Sequence, residues 1–224
     1  ETLMEGVRRV SDNIAHDLRT PLTRMRNDLS QLRARMASGD GEQLERIIEE
    51  CDDLLSSFNA LLRISTLESG NRLAGGNDVE LRALLQDVVE LYEPLAHVQG
   101  IELQLDAPRS QICKGEADLL FQMFTNILDN AIKYTPPNGE IRVQLSGGEA
   151  DAGQRIMFAD SGPGIPMEER KKVFRRFYRV ESSRGEHPGH GLGLSLVQAI
   201  AQYHYGSVKL TANNPGLRVL VNLP

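Results

Sequence analysis

The segment Asn126-Ile127-Leu128-Asp129-Asn130-Ala131-Ile132-Lys133-Tyr134 decides the fold of the larger part of this chain. It closes a helical pattern that runs over residues 117–134. Asn126, Asn130 and Lys133 are spaced by four and three residues, so a helix carries them on one face. Amide oxygens suit a hard cation such as Mg²⁺, and a lysine suits phosphate. A solvated polar face would have the same spacing, so the segment alone leaves both interpretations open.

A glycine-containing segment follows a predicted strand over residues 155–159. It reads Asp160-Ser161-Gly162-Pro163-Gly164-Ile165. Glycines at such a position allow a tight turn and the close approach of a ligand. An ionised Asp160 could accept a hydrogen bond from an exocyclic amine such as that of adenine. The pattern Asp-x-Gly-x-Gly fits a plain turn equally well.

A second glycine-rich segment, Gly189-His190-Gly191-Leu192-Gly193-Leu194-Ser195, opens a predicted helix over residues 194–205. Backbone N–H groups at a helix N-terminus bind anions, and glycines let a phosphate come close. The segment is not a dinucleotide fingerprint, because it lacks the βαβ context and the acidic residue that should follow. The chain also has no Gly-x-x-x-x-Gly-Lys-Ser/Thr string, so any bound ATP is not held by a P-loop.

Strand-like and helix-like patterns alternate around these segments. Residues 79–98 read mainly as a helix, and strands are predicted over residues 101–105, 140–145, 155–159, 207–211 and 217–221. Long helices combined with antiparallel-type hairpins indicate a two-layer α/β sandwich. A break rich in glycine and asparagine precedes it. We therefore expect domains at residues 1–70 and 78–224, joined by a linker over residues 71–77.

The first 70 residues contain two long helical patterns. Apolar residues recur in steps of three and four from Val7 to Leu32 and again from Leu44 to Leu62, with Cys51 inside the second stripe. Residues 38–41 form a turn-rich break between them, which indicates a helical hairpin. A lone hairpin buries too little apolar surface to be stable. We expect two copies to form a dimeric four-helix bundle, although packing onto the rest of the same chain is the alternative.

The first of these helices carries the string His16-Asp17-Leu18-Arg19-Thr20-Pro21-Leu22. His16 and Thr20 are four residues apart and project from the same helical face. Asp17 could accept a hydrogen bond from Nδ1–H, which fixes the tautomer and leaves the lone pair of Nε2 free to attack. A histidine beside an aspartate is also compatible with a plain solvated helix surface.

Composition narrows the classes of function. The net charge of −6 argues against a dedicated nucleic-acid binder, which needs clustered Lys and Arg. Cys51 and Cys113 lie far apart without metal-ligand spacing, which fits a reducing cytoplasm. No run approaches the roughly 18 apolar residues that a membrane span requires. The chain begins at Glu1 within a helical pattern, so we expect a fragment of a longer protein.

Together these motifs resemble the cytoplasmic catalytic core of bacterial sensor histidine kinases. The string from His16 to Leu22 looks like the family's phospho-acceptor motif. The segments 126–134, 160–165 and 189–195, in this order, look like the N, G1 and G2 boxes of the ATP-binding fold shared with gyrase, mismatch-repair ATPases and heat-shock chaperones. Residues 174–179, Phe-Arg-Arg-Phe-Tyr-Arg, resemble the family's F box. His190 departs from the pattern, since the family more often has Thr or Ser there.

The resemblance implies roles for individual residues. His16 would take the phosphoryl group from ATP, Asp17 would assist the attack, and Thr20 would help to position water for dephosphorylating the partner. Asn130 would bind Mg²⁺ and Asp160 the adenine amino group. Residues 166–188 would form a mobile lid over ATP. Further nucleotide contacts are implied for Asn126, Lys133, Tyr134, Gly162, Gly164, Ile165, Arg179, Gly189, His190, Gly191, Leu192, Gly193 and Leu194.

The resemblance also implies partners. These are a second copy of the chain, bound through the hairpin, and a response regulator whose receiver aspartate accepts the phosphoryl group and which the kinase can also dephosphorylate. The chain would be the cytoplasmic portion of an inner-membrane sensor, with no nucleic-acid partner. Two other classes compete: an ATPase of this fold, which would not need the His16 hairpin, and a regulatory nucleotide-binding dimer, which would tolerate loss of His16, Asn130 or Asp160. His97, His187 and His204 match no motif, and we expect surface or packing roles for them.

Overall fold

A computed structural model describes residues 23, 29, 41–69, 76–147, 153–180 and 190–224. The chain divides into two compact units, Glu1–Gly70 and Asn71–Pro224. The boundary between them, at Gly70 and Asn71, falls in the glycine- and asparagine-rich break of the sequence.

A long helix dominates the described part of the first unit. Helix α1 spans Gly41–Ser69 and buries Ile48, Cys51 and Ile64, all members of its apolar stripe or its continuation. The turn-rich break predicted to include Gly41 ends one residue earlier, because Gly41 is already helical. In the other predicted helix, positions 23 and 29 are helical and the remaining residues lie outside the described part of the chain.

The second unit combines helices with a mixed sheet. Its strands are β1 (Asn77–Glu80), β2 (Glu102–Asp106), β3 (Ile112–Gly115), β4 (Glu140–Gly147), β5 (Gln154–Asp160), β6 (Ser207–Ala212) and β7 (Leu217–Leu223). Its helices are α2 (Leu81–Val98), α3 (Ala117–Tyr134) and α4 (Gly193–Tyr203), with a single 3₁₀ turn at Lys172–Phe174 in the described residues.

In the described part of this unit, five strands form the main sheet in the order β2-β4-β5-β7-β6. Strand β2 runs parallel to β4, and the other neighbours are antiparallel. Strands β1 and β3 form a separate antiparallel ribbon. The predicted α/β sandwich is confirmed, but the parallel β2–β4 pair departs from the antiparallel hairpins that we expected.

The core lies between the helices and one face of the sheet. Ile141 and Val143 on β4 are buried while Arg142 between them is exposed, as the two-residue period of a strand requires. Phe124 of α3 packs on Phe158 of β5 with ring centroids 5.8 Å apart. Since Phe124 lies two residues before Asn126, this packing turns the asparagine face of α3 away from the sheet.

The start of α2 corrects the sequence interpretation. The helix predicted from residue 79 begins at Leu81, because residues 77–80 pair with β3. The Glu80 carboxylate caps the helix by accepting hydrogen bonds from the backbone N–H groups of Arg82 (3.1 Å) and Ala83 (2.7 Å). Strand β1 therefore begins at Asn77, the residue at which we ended the linker.

The end of α4 also differs by two residues from the expected end at Tyr205. Tyr205 has a φ of 58° and donates its N–H to Gln202 O, while Gly206 donates to Ala201 O. These two bonds form a Schellman motif, which satisfies the last carbonyls of the helix and stops it at Tyr203.

Candidate functional site

Two asparagines on α3 present their side-chain oxygens away from the helix. The Nδ2 group of Asn126 donates to Gln122 O at 2.7 Å, and that of Asn130 donates to Asn126 O at 2.9 Å. A carbonyl can only accept, so each amide nitrogen faces the helix and each Oδ1 faces outward. No hydrogen bond from the described residues reaches either Oδ1. Both oxygens are therefore available to a donor or a cation.

The N-terminus of α4 lies directly beside these asparagines. A Cβ atom added to Gly193 would be 3.3 Å from Asn126 Oδ1 and 3.4 Å from Asn130 Nδ2. The residue before it, Leu192, is the N-cap residue and is buried, and its apolar side chain makes no capping hydrogen bond. Uncapped N–H groups at a helix start favour a bound anion. An anion-binding helix end thus lies beside the Oδ1 of Asn126 and the Nδ2 of Asn130, a contact that the spacing within either segment did not predict.

Gly191 brings the predicted F box against the second glycine-rich segment. It has a φ of 70°, and a Cβ atom there would lie 2.7 Å from Tyr178 O, so only glycine fits without strain. Phe177 N donates to Gly191 O at 3.0 Å. The Tyr178 hydroxyl donates to the Glu169 carboxylate, which also pairs with Lys172 Nζ at 2.7 Å. Residues 169–178 therefore pack against the segment that leads into α4.

Asp160 ends β5 as a buried carboxylate, with 7% of its surface exposed. Its Oδ1 accepts hydrogen bonds from Gly162 N at 2.9 Å and Leu217 N at 3.1 Å. Burial raises the pKa of Asp160, and these two backbone donors oppose the rise. Oδ2 receives no hydrogen bond from the described residues. Oδ1 is therefore held by the backbone, while Oδ2 can accept a hydrogen bond from a ligand.

The turn after β5 packs against the C-terminal end of α3. A Cβ atom on Gly162 would lie 2.6 Å from Tyr134 O. Gly164 has a φ of 72° and faces Gly216 O in the β6–β7 hairpin, which a Cβ atom would approach to 2.7 Å. Ile165 O accepts from Arg170 Nε at 2.9 Å. Helix α3 is thus the common support of the asparagine pair and the Asp160 turn.

Sequence reasoning missed the hairpin residues that hold Asp160. Besides Leu217, Asn213 donates its Nδ2 to Asp160 O at 2.7 Å, and Gly216 packs against the same carbonyl. The string Asn213-Asn214-Pro215-Gly216 is a recognisable turn signal. Its position beside residue 160 depends on the pairing of β5 with β7, which local patterns do not encode.

The remaining predicted residues are distributed around this centre. Lys133 Nζ lies 5.4 Å from the centroid of the Tyr134 ring, and both side chains are half-buried. Arg179 and Leu194 are half-buried, and His190 is exposed. The predicted residues His16, Asp17, Thr20 and Gly189, with residues 181–188 of the predicted lid, lie outside the described part of the chain.

The described residues contain no group of three or more His, Cys, Asp or Glu side chains that could hold a metal ion. A Mg²⁺ ion keeps several waters and is often bound through one or two protein oxygens plus phosphates. The outward Oδ1 of Asn130, a residue whose Nδ2 would lie 3.4 Å from a Cβ atom on Gly193, fits that mode. In the same described regions, no helix is long and apolar enough to cross a membrane.

Two protein families match the sequence. The family described as "His Kinase A (phospho-acceptor) domain" matches residues 7–70. The family described as "Histidine kinase-, DNA gyrase B-, and HSP90-like ATPase" matches residues 115–224. The first match contains the His16 string, and the second contains every predicted nucleotide contact.

Curated relatives match almost the whole chain. The signal transduction histidine-protein kinase BaeS of Escherichia coli (strain K12) is 32% identical over 215 residues, which cover 95% of this chain and 45% of BaeS. The sensor histidine kinase CpxA of the same strain is 33% identical over 228 residues, covering 100% of this chain and 48% of CpxA. The chain therefore spans about half the length of the curated relatives it matches.

Solved structures resemble the chain in the same way. Full-length ShkA in complex with AMPPNP superimposes with a TM-score of 0.81 at 26% identity, covering 96% of this chain and 45% of ShkA. The histidine kinase AdeS of Acinetobacter baumannii superimposes with a TM-score of 0.65 at 21% identity, covering 93% of this chain and 96% of AdeS. At that identity, the likeness to AdeS supports the fold alone.

Proposed function

Because this chain belongs to the sensor histidine kinases, we propose that it phosphorylates its own His16 from ATP and passes the phosphoryl group to an aspartate of a response regulator. The observation that carries the proposal is the approach of Gly193 at the start of α4 to Asn126 and Asn130 on α3. It places an anion-attracting helix end beside the amide groups of both asparagines, whose Oδ1 atoms receive no hydrogen bond from the described residues. A nucleotide triphosphate with its cation matches both features.

The phosphate end of ATP would contact α4. The backbone of residues 189–194 would border the phosphates, with Asn126, Lys133, Tyr134 and Arg179 around them. Mg²⁺, when bound, would neutralise phosphate charge, and Asn130 is the residue that would hold it. Catalysis of phosphoryl transfer consists mostly of such positioning and charge neutralisation.

The adenine end of ATP would contact the Asp160 turn. The free Oδ2 of Asp160 would accept a hydrogen bond from the exocyclic amine, and Gly162, Gly164 and Ile165 would let the ring approach the backbone. Because Oδ1 is bonded to two backbone N–H groups, the carboxylate cannot rotate away from its partner. This rigidity favours selection of a base that offers a donor at that point.

The phosphoryl acceptor would be Nε2 of His16. Nε2 would attack the γ-phosphorus, so that a P–N bond forms and the P–O bond to ADP breaks. The Nδ1 proton of the phosphorylated ring would pass to the Asp17 carboxylate. Asp17 would hold the imidazole by its Nδ1–H and so keep the lone pair on Nε2. Phosphohistidine is labile, so the group can pass on to a receiver aspartate. Thr20 would position water for the reverse activity, dephosphorylation of the regulator.

The same proposal includes the partners. The hairpin of residues 1–70 would associate with a second copy as a four-helix bundle, and the receiver domain would dock near His16. The chain would be the cytoplasmic portion of an inner-membrane sensor, an expectation that rests on the family. The curated relatives are about twice as long as this chain.

Autophosphorylation is tested with radiolabelled Mg-ATP. The wild-type chain, His16→Gln and, as a matched control, His97→Gln are compared, and the label's stability to acid and alkali is measured. We expect an acid-labile, alkali-stable label in the wild type and in His97→Gln, and none in His16→Gln. Nucleotide binding without label in the wild type would favour a regulatory nucleotide-binding dimer. Equal labelling of His16→Gln would exclude His16 as the acceptor.

A further inference from the structure

A buried histidine joins two helices at a distance from the candidate site. His204, the residue after α4, is 2% exposed. Its Nε2 lies 3.0 Å from Glu116 N, and its Nδ1 lies 2.8 Å from Ile200 O. A backbone N–H can only donate and a carbonyl can only accept. The ring is therefore the neutral tautomer with its proton on Nδ1, and Nε2 accepts from Glu116.

This hydrogen bond ties the C-terminal end of α4 to the N-terminal end of α3. Glu116 is the N-cap residue of α3, and its own side chain makes no capping hydrogen bond there. At the opposite end of the pair, Gly193 meets Asn126 and Asn130. The two helices are antiparallel, and the two contacts are separated by about 15 Å of helix at 1.5 Å per residue. Helix α4 is common to both contacts.

The surroundings of His204 leave it little freedom. A Cβ atom on Gly115 would lie 3.2 Å from His204 Cδ2 and 3.3 Å from its Nε2. In the described part of the chain, the titratable side chains that face the ring are those of Glu116 and Tyr203. The Tyr203 ring meets the imidazole edge-on, with ring centroids 5.3 Å apart, and its hydroxyl donates a hydrogen bond to the Glu116 carboxylate. Lys114 of β3 points away and pairs with Asp78. Burial lowers the pKa of His204, while Ile200 O and the Glu116 charge oppose the fall.

We propose that His204 is a positioning residue for nucleotide binding: as the neutral imidazole it holds α4 on α3 and sets the spacing between Gly193 and the two asparagines. The inference rests on the nucleotide site proposed above. A protonated His204 would present N–H to the Glu116 N–H, so the bond would be lost and the C-terminal end of α4 released. Protonation and nucleotide binding then oppose each other.

Thermodynamic linkage between protonation of His204 and nucleotide binding separates a positioning role from a purely structural one. If protonation of His204 weakens nucleotide binding, then bound nucleotide must lower the pKa of His204. The negative phosphates acting through space alone would raise that pKa. The sign of the shift therefore separates positioning through the helices from plain electrostatics.

The first experiment follows the imidazole nitrogens by NMR in the full chain, from pH 8 to pH 5, with and without AMPPNP. We expect AMPPNP to lower the pKa of His204. A rise, or no change, at His204 in a chain that binds AMPPNP would overturn the inference. A wild-type chain that binds no AMPPNP at pH 7.5 would overturn the proposed nucleotide site itself.

The second experiment measures the dissociation constant of AMPPNP at pH 7.5 and pH 5.5 for the wild type, His204→Gln and His204→Leu. The Gln side chain does not titrate and keeps an oxygen that can accept a hydrogen bond from the backbone N–H of Glu116, whereas Leu removes the acceptor.

At pH 7.5 we expect His204→Leu to bind AMPPNP about tenfold more weakly than the wild type, and His204→Gln to bind it about as tightly as the wild type. We also expect the ratio of wild-type to Gln constants to rise at pH 5.5, since titration of the nucleotide cancels in that ratio. A constant ratio would contradict the inference even if Leu does not fold.

Discussion

A Cβ atom on Gly193 would lie 3.3 Å from Oδ1 of Asn126, closer than side chains usually pack. Gly193 is the first residue of α4 and needs no left-handed backbone. Glycine at this position therefore keeps space open between α4 and α3 and is not needed for an unusual backbone conformation. Substitution at this position can change the site without unfolding the helix.

Gly193→Ala should fold normally, because alanine is favoured in a helix over glycine by about 1 kcal/mol. The added methyl group fills the space beside Asn126 and Asn130, so we expect AMPPNP to bind about tenfold more weakly. Isothermal calorimetry and thermal unfolding measure the two effects separately. The control is Gly147→Ala at the end of β4, where the added methyl group would meet the side-chain amide of Gln111, and it should leave binding unchanged. Wild-type affinity in Gly193→Ala would show that this space is not used.

Asp160→Asn should separate binding from stability. Asn Oδ1 can still accept from Gly162 and Leu217, and removal of a buried charge makes the folded state no less stable at pH 7. The second carboxylate oxygen becomes an NH₂ group, which cannot accept from adenine. We expect AMPPNP affinity to fall about 10- to 100-fold, as for loss of a charge-assisted hydrogen bond, with an unchanged or higher unfolding midpoint. The exposed Asp106→Asn is the control; loss of stability without loss of affinity would contradict the assignment.

His204 should make the free energy of unfolding depend on pH. Its folded pKa lies below the ordinary 6.5, so between those two values the unfolded chain binds more protons than the folded chain. The contribution of the neutral His204 to the stability of the folded state is therefore complete above pH 6.5 and decreases as the pH falls toward the folded pKa. Urea unfolding of the wild type and His204→Gln from pH 8 to pH 5 measures this. We expect the free energy of unfolding of the wild type to fall relative to that of His204→Gln as the pH is lowered. If the two free energies depend on pH in the same way, His204 is not a buried neutral imidazole.

Glu169 and Tyr178 should act as one unit. Their hydrogen bond holds the segment that contacts Gly191, while the Lys172 pair on the same carboxylate lies at the surface. Leu at residue 169 cannot accept the hydrogen bond from Tyr178, and Phe at residue 178 cannot donate it. We expect Glu169→Leu and Tyr178→Phe each to weaken AMPPNP binding a few-fold, and the double variant to bind no more weakly than the weaker of the two single variants. Lys172→Gln is the matched control and should have little effect, because exposed ion pairs contribute little. Additive losses would show that the two residues act separately.

Much of the fold follows from local pattern. The apolar period of α3, the strand alternation at residues 140–145 and the glycines around residue 191 each restrict only a few neighbouring φ and ψ angles, and the structure agrees with all three. Strands β1 and β3 were missed because each has four residues and exists only as the partner of the other. The parallel β2–β4 pair was missed because direction follows from the chain's path between strands, not from either strand's sequence.

The sequence alone predicted which residues are candidates for the chemistry: amides and a lysine on one face of α3, a carboxylate before a glycine turn, and glycines at a helix start. These are properties of spacing within one element, set by helical and strand geometry. Only the tertiary structure decided that Gly193 meets Asn126, that Leu217 anchors Asp160 and that His204 bonds to Glu116. Each of these joins residues more than 50 positions apart, and burial of the shared core, not the preference of either segment, brings them together.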